Sequence, residues 1–299
     1  MRKSMIAFLC LCTATAATAQ DRPVAKAIQA TASYTFDLTP APDDRQAVLI
    51  RVIAGHEQFF LRDMDTGAER QITFDEADHE DPAWSPDSSR IAFVLVRDGK
   101  KIIHLLKPDG TGLEAVTPAT QSAIHPSYTP DGKAILYCTD DDLRPPEKNE
   151  SQIYSIDLAT KQVATLVSGG VNTFPVMSPD GRKLAFRRII GDMNSEVFVA
   201  DADGRNAKNI TNHWSYEGWP AWSPDGKTIA YAGNRGNAGY QVFLMDPDGA
   251  NVRLLAATEG RGIAPKWAPD GRMVYFTVCR SSQEHNGCEV FAAAVPAPA

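Results

Sequence analysis

Positive charge is scarce in this chain. It carries 30 Lys and Arg against 37 Asp and Glu in 299 residues, a formal net charge of −7. A protein that neutralises phosphates needs a basic excess, so the composition argues against nucleic acid as a partner. Long apolar runs are also missing, and the longest near the N-terminus, Met5 to Leu11, is too short to span a bilayer. Histidine is rare: His56, His79, His104, His125, His213 and His285 fall in scattered positions. No GxSxG motif occurs, and no nucleophile with a paired base and orienting group is legible, so the sequence names no catalytic residue. Cysteine is sparse too, with Cys10 and Cys12 near the N-terminus and only Cys138, Cys279 and Cys288 beyond it.

What the N-terminus does have is an export signal. Arg2 and Lys3 precede the apolar segment, and Ala17-Thr18-Ala19 is a small-x-small cleavage site before Gln20. Residues 1–19 therefore read as a secretory signal peptide, and 20–299 as the mature, soluble, periplasmic or secreted chain. Cys10 follows Leu9, where a lipoprotein signal has a small residue, which argues against lipidation. Cleavage removes two positive charges and no negative ones, taking the net charge from −7 to −9. In an oxidising compartment Cys279 and Cys288, which flank RSSQEHNG, could form a cross-strand disulfide, while Cys138 reads as a buried free thiol.

The rest of the chain is built on repetition. WPAWSPDGKTIAY, from Trp219, reads as strand, turn, strand. Pro presets φ in the turn, Asp bonds its own backbone and Gly takes the left-handed conformation. The same hairpin recurs as DPAWSPDSSRIAFV from Asp81, HPSYTPDGKAILY from His125, FPVMSPDGRKLAF from Phe174 and APKWAPDGRMVYF from Ala264. Repeats start near 38, 82, 126, 175, 220 and 265, and the first copy, LTPAPDDRQAVLI, lacks the leading Pro and the Gly. A second hairpin follows each first one, as in QVFLMDPDGANVRLLA, except that the sixth copy ends after its third strand. Four strands at a period near 45 make a propeller blade. The expected fold is all-β, a single six-bladed β-propeller. A strand at about 26–36 completes the last blade and closes the ring, which removes exposed edges.

Two residues after the leading Pro stand Trp84, Tyr128, Met177, Trp222 and Trp267, read as core that packs blade on blade. The short PDG and DxDG turns read as punctuation, and the latter lack the ligand set of a calcium loop. The variable connections all fall on one face, which makes that face the functional one. There Asp81, His125, Phe174, Trp219 and Ala264 precede the leading prolines and should ring the mouth of the central channel. An acidic sector (Glu80, Asp81, residues 140–142) would adjoin an aromatic one (Trp214, Tyr216, Trp219), a pairing suited to protein or peptide recognition. His79 and His125, with Glu80 or Asp81, are the right ligand types for a divalent metal.

The PxWSPDGxxIAY hairpin with its DxDG partner resembles the TolB-like propellers, WD40-like Pro-Asp repeats of bacterial periplasmic proteins, from Leu38 to Ala299. The resemblance implies a non-enzymatic module of the cell envelope that binds a protein or peptide through its variable-loop face and needs no cofactor. The family's namesake carries an α/β domain before its propeller, and only about eighteen residues precede the blades here, so that domain is expected to be absent. At fold level the family also resembles a polysaccharide lyase with a metal in its channel. That leaves open a metal-assisted lyase or hydrolase, or a small-ligand binder, acting on a carbohydrate-like molecule at the channel mouth.

Overall fold

The computed structural model describes residues 26–27, 35–139, 150–191, 194–236, 239–280 and 287–296. The expected signal peptide at residues 1–19, residues 140–142 and most of the loop after Cys279 lie outside the described residues.

The repeated turn folds as its residues dictate. In the copy at Ser223, the Ser223 amide donates to Thr228 O (2.8 Å) and the Gly226 amide to Ser223 O (2.9 Å). The Asp225 carboxylate accepts from the Ser223 hydroxyl (2.6 Å) and the Lys227 amide (3.1 Å), and Gly226 sits at φ +69°. In the two copies without Gly at this place, Asp44 and Ser88 take the same left-handed conformation, at φ +60° and +58°. Such hairpins cannot bury their faces alone.

The strands assemble into six four-stranded antiparallel sheets, which we number as blades 1 to 6. Their inner strands are Thr35–Pro40, Asp78–Trp84, Ala123–Tyr128, Val171–Met177, Glu217–Trp222 and Arg261–Trp267. Blades 1 to 5 run outward in sequence order. In blade 6 the outer strand comes from the N-terminus: Lys26–Ala27 pairs antiparallel with Cys288–Ala294, the ring closure expected from the sequence. The expected strand at 26–36 is divided, however, because Thr35 and Phe36 belong to the inner strand of blade 1. Since strands alternate in direction, the turns inside each hairpin lie on one face, and the links between hairpins and between blades lie on the other.

Large residues on each inner strand pack against the neighbouring blade. Trp84 and Trp222 are buried. The Trp84 indole donates to Thr39 O of blade 1, and that of Trp267 to Ala221 O of blade 5, each at 3.0 Å. Each indole thus buries an aromatic body and satisfies its one donor on the next blade's backbone.

Every inner strand also carries the same bulge. In blade 2, Glu80 pairs with Val94 and Ala83 with Ala92, so Asp81 and Pro82 together oppose the single residue Phe93. Equivalent shifts occur in the other five blades. In blades 2 to 6 the bulge releases the proline, which has no N–H to give the ladder, and Leu38 takes its place in blade 1. It also sets the residue before it at φ +52° to +54° in all six blades: Asp37, Asp81, His125, Phe174, Trp219 and Ala264. Non-glycine residues rarely take this conformation, and a sixfold recurrence marks it as a built feature of the ring.

Candidate functional site

The six bulge residues form a waist across the central channel. All but one of them were expected from the sequence. The sixth, Asp37, is reached by stepping back one period of 44 from Asp81. They line two chambers, so they stand within the channel and not only at its mouth. The chamber toward the uniform turns is about 520 Å³ and is walled by the repeat prolines. The one toward the variable loops is about 360 Å³ and adds Glu80, Lys101, Arg261 and the Cys279–Cys288 pair.

The waist is lopsided. On one side stand carboxylates. Asp37 has its pKa raised by burial, opposed by Lys266, whose Nζ is 3.9 Å away. Glu80, 3.3 Å from Lys101 Nζ, is pushed up to about 7 by burial despite that lysine. Asp81 accepts a hydrogen bond from the His125 amide at 3.2 Å. Burial disfavours a charged carboxylate, which is why Asp37 and Glu80 hold their protons more tightly than usual.

On the other side the rings form a continuous arc. His125 stacks on Phe174 with centroids 3.7 Å apart, Phe174 meets Trp219 at 5.2 Å, and Trp219 meets Tyr240 edge-on at 5.8 Å. Tyr216 extends the arc through Tyr240, at 6.4 Å. Arg187 lies over both Phe174 (6.0 Å) and Trp219 (5.8 Å), and Arg261 over Tyr240 (5.9 Å). Gly218 makes room for the Arg187 stem, since a Cβ there would stand 2.9 Å from Arg187 Cδ.

The structure thus brings together Glu80, Asp81, His125, Phe174, Tyr216 and Trp219 of the expected residues. Trp214 stands apart, 75% exposed on the loop before blade 5 and in contact with His213. His79 is buried between blades against Phe59 and Phe93, with Nδ1 3.2 Å from both Glu57 O and Ala77 O. His125 instead reaches Asp81, at 3.8 Å, and Cys138 Sγ, at 3.3 Å. The two imidazoles therefore do not share a site. Among the described residues no group of three or more His, Cys, Asp or Glu is placed to hold a metal ion. Cys279 and Cys288 are joined by a disulfide and Cys138 is a buried free thiol. Tyr240, Arg187 and Arg261 carry no signal in the sequence, because they come from outside the repeated motif or from strand ends that differ between blades.

Beside the arc, between blades 4 and 5, lies a buried charged cluster. The Glu217 side chain is fully buried, with Arg235 Nε 3.1 and 3.3 Å from its two oxygens. Glu196 accepts from the His213 amide at 2.8 Å and from the Thr211 hydroxyl. Burial pushes Glu217 up to about 7; Arg235 opposes the rise and Glu196 adds to it.

Comparison with known proteins matches this architecture. A family model described as the TolB beta propeller domain matches residues 143–292. An uncharacterized protein of Agrobacterium fabrum is 30% identical over 135 residues, which cover 43% of this chain and 46% of that protein. The match thus spans less than half the length of that curated relative. Among solved structures, TolB from Acinetobacter baumannii superposes with a TM-score of 0.66 at 25% identity, over 79% of this chain and 57% of that one. A putative TolB from Agrobacterium tumefaciens gives 0.68 at 22% identity, over 89% and 92%, a likeness of fold alone.

Proposed function

The chain belongs to the TolB β-propeller family, and from that premise we propose that it is an exported, non-enzymatic module of the cell envelope that binds a protein or peptide on its variable-loop face. The observation that carries this reading is the lopsided waist. His125, Phe174 and Trp219, the part of the arc that lines the chamber, face carboxylates at Asp37, Glu80 and Asp81 across a space that opens toward the variable loops, and Tyr240 and Tyr216 continue the arc behind Trp219. Packed aromatic groups beside polar ones are what a peptide's side chains use as anchors. The other face is made of near-identical turns and offers no comparable contrast. The leader pattern at residues 1–19 supports export, and a disulfide between Cys279 and Cys288 fits an oxidising compartment. No helix among the described residues is long and apolar enough to cross a membrane.

A metal-assisted lyase or hydrolase has less support, because His79 lies inside the blade stack and His125 meets only Asp81 among the expected ligands. A photo-crosslinking residue placed at Trp219 or at the exposed Phe74, in cells that export the protein, tests the reading. Discrete protein adducts are expected from both positions and none from Arg182 on the uniform-turn face. Adducts from Arg182 alone, or none at all, would refute a partner on the variable-loop face.

A further inference from the structure

Among the described residues every partly buried arginine has a hydrogen-bond or ion-pair partner, with two exceptions. Arg51 and Arg62 share Glu69, Arg235 grips Glu217, and Arg188 donates to Asn172 Oδ1 at 2.7 Å. Arg187 and Arg261 have no carboxylate within ion-pair distance among the described residues. The Nε of each is buried and has no hydrogen-bond partner among them. A buried unpaired charge or donor is costly, and structures seldom keep one without a use. Both exceptions come from one region. Arg187 lies over Phe174 and Trp219, Arg261 lies over Tyr240, and Trp219 touches Tyr240. Both guanidiniums also act on the Tyr240 phenol, favouring its ionised form against burial, which is the larger effect. Two uncompensated cations therefore bracket a single pair of aromatic rings, of which Trp219 lines the channel.

A guanidinium stacked on a ring keeps its in-plane donors free, and those donors match a carboxylate's two oxygens. We propose that Arg187 and Arg261 form an anion subsite on the aromatic arc that takes a carboxylate of the bound peptide, from its free C-terminus or from an acidic side chain. The carboxylates at Asp37, Glu80 and Asp81 lie on the opposite side of the waist. Lys266 and Lys101 already pair with Asp37 and Glu80 there, so the better partners for an anion are the two arginines, which orients the ligand with its negative end toward them. Gly218 belongs to this device, because any larger residue would displace the Arg187 stem.

The inference rests on the peptide-binding reading, and its test is separate from that of the partner. Three probes are titrated into the full mature protein, followed by tryptophan emission and thermal melting. Acetyl-Phe-Gly carries a terminal carboxylate, acetyl-Phe-Asp-amide a side-chain carboxylate, and acetyl-Phe-Gly-amide none. At least one acid should bind tenfold or more tighter than the neutral amide and lose that advantage in 0.5 M salt; which acid wins identifies the source of the carboxylate. Arg187→Gln and Arg261→Gln should each cut the acid's advantage over the neutral amide fivefold or more. Equal binding of the three probes by the wild-type protein, or no saturable binding by 50 mM, overturns the subsite even if a variant fails to fold. If Trp219 still crosslinks to an envelope protein in that case, the peptide-binding reading survives without the anion. Acid preference with no crosslinked partner would support the subsite and remove the partner.

Discussion

Glu217 offers the most direct test of the electrostatics in this structure. Its side chain is fully buried, and burial raises its pKa from 4.5 to about 7 although Arg235 sits against it. The folded value lies above the unfolded one, so between about pH 4.5 and 7 the folded state binds more protons. Stability from this group is fully present below the lower value and is lost as pH rises through the upper one. At 1.36 kcal/mol per pH unit, the loss is about 3 kcal/mol. Glu80 is raised in the same direction, but its side chain is 29% exposed and solvent screens it, so its share is smaller. Glu217→Gln removes the titration and keeps an oxygen for Arg235. At pH 8 the variant should be more stable than wild type by about 2 kcal/mol, because losing the charged hydrogen bond offsets about 1 kcal/mol of the relief. At pH 5, where the wild-type carboxyl is largely protonated, the two should lie within about 1 kcal/mol. Urea unfolding at half-unit steps between pH 5 and 8 measures the difference. If variant and wild type keep the same slope with pH, Glu217 is ionised throughout and its pair with Arg235 outweighs burial, which would refute the reasoning.

Two further predictions concern how the blades are joined. Trp84→Phe should cost about 2–3 kcal/mol, because it strands the Thr39 carbonyl and thins a buried contact. Trp222→Phe should cost measurably less, since the Trp222 Nε1 has no hydrogen-bond partner among the described residues to lose; equal losses in urea unfolding would show that the indole bonds do not matter. Gly204→Ala should destabilise by more than about 3 kcal/mol, as the new Cβ would overlap the Leu166 carbonyl oxygen at a φ of +81°. Gly181→Ala, at φ +70° with nothing within 4 Å, should cost only about 1 kcal/mol, and a similar loss at both sites would contradict the steric account.

The sequence by itself determined whatever depends on neighbours in the chain. Ser-Pro-Asp-Gly sets each hairpin, the period near 45 sets the blade, and the short sixth copy required a strand from the N-terminus, found at Lys26–Ala27. Trp84 and Trp222 were legible as core, and Trp267 as a partly buried ring packed on it, because alternation along a strand is local as well. The limits of that reasoning appear at the bulge. One extra residue in each inner strand breaks the alternation, so spacing could not show that His79 turns into the blade stack while Asp81 turns into the channel. The tertiary structure alone decided that six residues, Asp37 among them, form a waist with chambers on both sides. It alone brought Tyr240, Arg187 and Arg261 to that waist, from strands far apart in the chain. A residue's charge can be read from the sequence, but whether anything neutralises it depends on what the closed ring places beside it. For that reason the two unpaired arginines became visible only once the six blades were assembled.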